Sequence, residues 1–346
     1  MRIYNPFGFT VSRGEIKLIA NRTYYYKIAD TKTIIHTKNS LGFRGDDPGK
    51  NFKGDLTVMT VGGSTTECFY LSDDMTWPYF LGQKLSQKFK GLWLNNAGLD
   101  GHSTSGHIIL MKDYISQIRP KIVLFMVGIN DIETEDFRPA EKDIKSGLFY
   151  PEYNLSSIEK YLRATAKYSE ISSVILNFYR NKEARARGLT HQNVQEYNSD
   201  YMKDKLKERD DNIADFEKKR IEHADLIEGE DRQEFLKHKK YLDKYEHQLE
   251  TLCMISKENG IEPVFITQTS APYRKMIGLE LYNEITRKVA NREKILLIDL
   301  AVELPDNAEY YYDDIHYNEE GAKKVAETIY ENLYPYLTKK YPLYAL

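Results

Sequence analysis

The chain has 346 residues, 41% of them hydrophobic and 29% charged, enough for one large α/β domain with additions or for two domains. Its formal net charge of −3 and pI near 6.3 supply no basic field of the kind that recruits nucleic acid. Two cysteines, Cys68 and Cys253, exclude a disulfide framework, and no apolar run approaches the roughly 20 residues that a membrane helix needs. The first residues lack the apolar core of a signal peptide. The chain as written is therefore expected in the cytoplasm, a reducing compartment that suits two thiols, with an anchor upstream of Met1 as the open alternative.

Residues 1–50 read as a β-rich arm. Strand-like patterns at 23–28 and 33–37 are followed by the turn formers Gly42 and Gly45. The arm is expected to cover one edge of a sheet; the competing reading puts Arg44 at a substrate mouth. Residues 51–346 read as one α/β domain. An apolar run at 56–61 predicts a buried parallel strand, a helix follows at 77–89, and a short strand at 93–96. A helix at 106–118 exits at Pro120, and 121–127 is the most apolar strand.

Each of these three strands ends in a glycine-containing polar segment: Gly62-Gly63-Ser64-Thr65, Asn96-Ala97-Gly98-Leu99-Asp100-Gly101, and Gly128-Ile129-Asn130-Asp131. In an open α/β sheet, ligands bind outside the carboxyl ends of the strands, so the three segments should converge. Ser64 would stand at a strand end and a helix mouth, where peptide N–H groups point outward. That suits a nucleophile whose attack creates an oxyanion; the plainer reading is an N-cap serine.

Residues 156–168 predict a helix, and 173–178 a short strand or a buried helix. From about 193 to 256 the chain is charged and helical. Leu242, Tyr245, Leu249, Leu252 and Ile255 repeat at spacings of three and four, and this stripe is expected to be structural. Leu206, Ile213 and Phe216 form a sparser stripe, and Leu226-Ile227-Glu228-Gly229 marks a bend. Residues 186–256, approximately, are thus expected as a helical insertion. It would serve as a lid, as the contact of a homo-oligomer, or as solvated surface. Strands at 262–268 and 294–300 flank a helix at 279–290, and a closing helix at 319–337 starts from Asn318 as N-cap.

Asp313 and His316 stand three residues apart just before that closing helix. A carboxylate accepting from one imidazole nitrogen fixes the tautomer. The other nitrogen can then take a proton from a serine hydroxyl. No His/Cys group has metal-ligand spacing, and no cofactor is expected.

Four blocks in order, Gly62-Gly63-Ser64-Thr65, Asn96–Gly101, Gly128-Ile129-Asn130-Asp131 and Asp313-Asp314-Ile315-His316, resemble those of SGNH hydrolases, the GDSL-type esterase/lipase superfamily. The resemblance spans about 54–135 and 258–335. It implies a three-layer α/β/α flavodoxin-like fold with a parallel five-stranded sheet. It also implies Ser64 as nucleophile, His316 as base and Asp313 as its orienter. The oxyanion hole it implies comprises the N–H groups of Ser64 and Gly101 and the side-chain amide of Asn130. The expected reaction is hydrolysis of a small acyl ester, such as an O-acetyl group on carbohydrate, through an acyl-serine. An acyltransferase with the same triad and a non-catalytic scaffold are the rivals. Gly63 stands where the family pattern has Asp. Spacing selects Asp313 over Asp314, Gly98 reads as a turn residue, and His102 and His107 read as loop and helix residues.

Overall fold

The computed structural model describes residues 20–29, 32–132, 193–198, 201–222, 231–274 and 276–346, with Leu18 and single positions between 158 and 179. Two sheets organise these residues. In the smaller, β1 (Arg22–Ala29) pairs antiparallel with β2 (Lys32–Lys38) and parallel with β6 (Asn193–Asn198). The larger contains β3 (Leu56–Gly62), β4 (Leu92–Asn96), β5 (Ile122–Met126), β7 (Glu262–Ile266) and β8 (Leu296–Ile298). It is wholly parallel, in the order β4-β3-β5-β7-β8, the strand order of a flavodoxin-like sheet.

Among the helices of the described residues are α1 (Ser64–Glu67), α2 (Trp77–Ser86), α3 (Thr104–Leu110), α4 (Tyr201–Glu222), α5 (Asp231–Glu258), α6 (Ile277–Glu293), α7 (Leu300–Glu303) and α8 (Glu319–Lys340). Alternate strand residues point to opposite faces. Met59, Val61, Val123, Phe125 and Phe265 pack under α3, α5 and α6. Leu56, Val58, Ile122, Leu124, Met126, Val264 and Ile266 pack under α2 and α8. Burial on both faces is why β3 and β5 read as continuous apolar runs rather than as alternation.

The arm borders the sheet at β4: Arg44 forms an antiparallel bridge with Asn96. Arg44 itself is buried, so its alternative place at a substrate mouth is not realised. Its guanidinium bonds the carbonyls of Glu67, Cys68 and Leu71 and the carboxylate of Asp73. Those bonds secure the segment between α1 and α2. Ser64 therefore opens a separate single turn rather than leading directly into α2.

Two further expectations change. Residues 193–198 are a strand and not the start of a helix, because β1 offers an open edge for parallel pairing. Within 173–178 the described positions Val174, Ile175 and Phe178 are helical, with Ile175 and Phe178 exposed, so this is neither strand nor buried helix. The bend at 226–229 lies outside the described residues. The α5 stripe is buried as expected from its periodicity, with Leu242, Tyr245, Leu249, Leu252 and Ile255 all in the core. Asn318 caps α8 by accepting from the Gly321 N–H at 3.0 Å. Among the described residues no helix is long and apolar enough to cross a membrane.

Candidate active site

Each of the three strand-end segments owes its position to a short set of bonds. Gly62 and Gly63 carry the chain out of β3, and Gly63 precedes α1 with its first residue, Ser64. A Cβ on Gly63 would lie 2.3 Å from the Asn130 Nδ2. The Asn130 amide thus stands where a side chain at position 63 would begin. Asn130 Nδ2 also donates to the His102 carbonyl at 3.0 Å. Asp131 accepts from the Thr104 N–H at 2.9 Å and from its Oγ1 at 2.7 Å, tying the asparagine segment to the start of α3. Gln268, just beyond β7, donates to Thr65 Oγ1 and accepts from the Ile129 N–H, both at 2.8 Å. The three segments converge, as expected for strand ends of one parallel sheet.

The fourth segment comes from the far end of the chain. Tyr312 N–H donates to the His316 carbonyl at 3.0 Å, and Tyr311 bridges Tyr317, closing a tight loop around Asp313 and His316. Asp313 Oδ1 accepts from the backbone N–H groups of Ile315 and His316 at 3.0 and 2.8 Å. Its Oδ2 is 2.7 Å from His316 Nδ1, and His316 Nε2 is 2.7 Å from Ser64 Oγ. The Tyr312 ring stacks on the imidazole, centroids 5.5 Å apart and the rings nearly parallel. Asp314 turns away to Arg274, 3.2 Å off, so only Asp313 meets the histidine.

The electrostatics follow from these contacts. Burial pulls the His316 pKa down, but the charge and hydrogen bond of Asp313, helped by Asp100, outweigh it and leave it above its ordinary 6.5; Lys205 opposes the rise. Burial pushes Asp313 up, yet the His316 charge, its hydrogen bond and the two backbone bonds hold the carboxyl below its usual value. The pair is thus an ionised carboxylate that fixes one ring nitrogen and leaves the other facing a hydroxyl. Gly101 has φ +69, and nothing lies within 4 Å of where its Cβ would be, so a side chain there would meet open space and only the left-handed backbone favours glycine.

A cavity of about 400 Å³ opens beside His316. Ile129, Met276 and Ile315 give it apolar patches, and α4 supplies one wall through Lys205, Glu208, Arg209 and Asn212. Arg209 reaches across to the Tyr311 carbonyl at 3.0 Å. His102 and His107 lie outside this constellation, in the loop before α3 and in α3. Both are buried, their rings stack 6.1 Å apart, and burial pulls His102 down to about 4 and His107 well below its ordinary value. They are neutral core residues, as the reading of them as loop and helix residues requires. No group of metal-binding side chains occurs among the described residues.

Reading the chain alone missed Gln268, Asp131 and Glu67. Gln268 lies at a strand's carboxyl end, where the rule used for the other segments would have found it. Glu67 lies two residues beyond the Gly62–Thr65 segment, and nothing in its spacing marks a carboxylate for burial.

A family model for the GDSL-like lipase/acylhydrolases matches residues 60–247, more than half of the chain. The chain belongs to that family. It is accordingly a carboxylic ester hydrolase by family, with the α/β sheet just described. No curated protein matches it. Among solved structures it is similar to TesA, at 13% identity over 81% of this chain and 98% of that chain, with a TM-score of 0.44. It is also similar to the acetylxylan esterase Axe2 from Geobacillus stearothermophilus, at 12% identity over 80% and 93% of the two chains, TM-score 0.43. The acetyl xylan esterase AlAXEase is 15% identical over 79% and 98%, TM-score 0.42. The matched span includes Ser64, Gly101, Asn130 and α4, and ends before Asp313 and His316.

Proposed function

We propose that the protein is a serine esterase in which Ser64 attacks the ester carbonyl, His316 is the general base and Asp313 orients it. The observation that carries this reading is the unbroken chain Asp313 Oδ2, His316 Nδ1, His316 Nε2, Ser64 Oγ, with 2.7 Å at each hydrogen bond. As the Ser64 Oγ–carbonyl bond forms, the Oγ proton passes to Nε2 and the carbonyl π electrons move to oxygen. The N–H groups of Ser64 and Gly101 and the Asn130 amide donate to that oxyanion, where negative charge develops. Collapse expels the alcohol, which takes the proton from Nε2 and leaves an acyl-serine. Water then repeats the sequence, losing a proton to His316, and the acid and free Ser64 result. Asp313 stays ionised throughout and holds the imidazolium.

The cavity lining supports a reading of the substrate class. About 400 Å³ beside His316 is room for a small acyl ester. The donors and acceptors of Lys205, Glu208, Arg209, Asn212 and Arg274 suit a polyhydroxylated alcohol portion, in keeping with an O-acetyl carbohydrate. Ser64→Ala tests the mechanism. Its kcat on a small activated ester falls by on the order of 10³-fold or more with the fold intact, and its labelling by a fluorophosphonate disappears. Wild-type turnover in that variant overturns the mechanism. Product analysis with an added sugar acceptor reports transfer in place of hydrolysis.

A further inference from the structure

We propose that Glu67 is a positioning residue for this reaction: its carboxylate clamps the loop bearing the Gly101 N–H against the nucleophile turn, with Lys38 of the N-terminal arm as its counter-charge. The proposal rests on the reading of Gly101 as an oxyanion donor.

Glu67 is the last residue of α1, one turn after Ser64, and its side chain is fully buried. Its Oε2 accepts from the Asp100 N–H at 2.6 Å, and its Oε1 from Lys38 Nζ at 2.5 Å. The loop from Ala97 to Gly101 is anchored by backbone further back, where the Leu99 N–H meets the Gly62 carbonyl at 2.9 Å. The bond to Glu67 is one residue closer to the donor. It fixes the Asp100 Cα, from which the Asp100–Gly101 peptide swings, in register with the helix that carries Ser64. Both sides of the proposed oxyanion site are thereby tied to the same single turn.

The chemistry explains why an ionised group serves here. A peptide N–H bonds a carboxylate more tightly than a neutral acceptor, so the loop is held stiffly. A buried carboxylate needs a partner charge, and Lys38 supplies it from β2. Burial works against the charge of Lys38 and pulls its pKa down, while Glu67 pushes it back up. Arg44, also in the arm, holds the Glu67 carbonyl at 2.6 Å and so fixes the other end of the same residue. Lys38 and Arg44 both lie outside the span matched by the family model. The arm therefore does more than cover an edge strand: it completes the support of the reacting centre.

Two charge-neutral double variants separate the acceptor from the ion pair, since an apolar replacement of a buried pair is often tolerated. Lys38→Met/Glu67→Gln keeps an acceptor for the Asp100 N–H; Lys38→Met/Glu67→Met removes it. With p-nitrophenyl acetate as probe, the Met/Met protein is expected to show a kcat about 10–100-fold lower than the Met/Gln protein at similar KM. The Met/Gln protein stays within several-fold of wild type. Equal kcat in the two folded doubles overturns the clamp. So does a Met/Met protein that fails to fold where Met/Gln folds, which assigns Glu67 to stability. Ser64→Ala runs alongside: turnover surviving there overturns the serine-esterase reading itself, whereas its loss with equal kcat in the doubles overturns the clamp alone.

Discussion

Helices α4 and α5 are both long, both strongly charged and adjacent in the chain, yet they meet the site from opposite sides. From Tyr241 onward α5 is a wall of the core. Leu249 and Leu252 are fully buried, and Tyr245 OH bonds the Val127 carbonyl at 3.1 Å, directly behind the Gly128–Asn130 turn. In α4, Leu206 is 37% exposed, and Lys205, Glu208, Arg209 and Asn212 line the cavity in front of His316. Charge density alone does not separate a supporting helix from a substrate-facing one. The spacing of apolar residues does, because only α5 has a stripe dense enough to bury against α6 and β7.

The sharpest way to break this contrast is Leu249→Ala. A cavity in the layer between α5 and α6 is expected to cost about 2–5 kcal/mol, read by chemical denaturation. A cost near zero would place α5 outside the core. Tyr245→Phe is a smaller probe of the same helix. It removes the hydrogen bonds to the Val127 carbonyl and Thr286 Oγ1, at about 0.5–1.5 kcal/mol in the same measurement.

On α4 the expected effect lies in titration rather than stability. His316 must be neutral to accept a proton, so activity rises with pH through its pKa, and Asp313 holds that pKa above the ordinary 6.5. Lys205 counteracts the rise, so Lys205→Met should move the midpoint of the acid limb of kcat/KM to higher pH. A midpoint that stays in place or falls would detach α4 from the site. The smallest effect belongs to Leu206→Ala, expected within about 0.5 kcal/mol of wild type by thermal denaturation.

The main sheet was legible because its central strands are buried on both faces and its helices carry regular stripes. Period and composition suffice for such elements. β6 was not legible: residues 193–198 become a strand through pairing with β1, about 170 residues earlier, and no local pattern encodes that partner. The single turn α1 was likewise invisible, since Arg44, 20 residues upstream of Ser64, secures the carbonyls at its end.

By itself the sequence determined the residue types at the strand ends, the order of the four blocks, and the i, i+3 spacing that brings Asp313 onto His316. These are local properties: a turn needs its glycine, and a short loop sets the distance between its own residues. Tertiary structure alone decided that Ser64 Oγ stands 2.7 Å from His316 Nε2 across 252 residues. It also decided that Gln268 joins two of the loops, that α4 forms one wall of the cavity, and that Lys38 meets Glu67 beneath the Asp100 N–H. Each of these contacts depends on where the parallel sheet places distant strand ends. The packing of both helical layers sets that placement, and no single segment carries it.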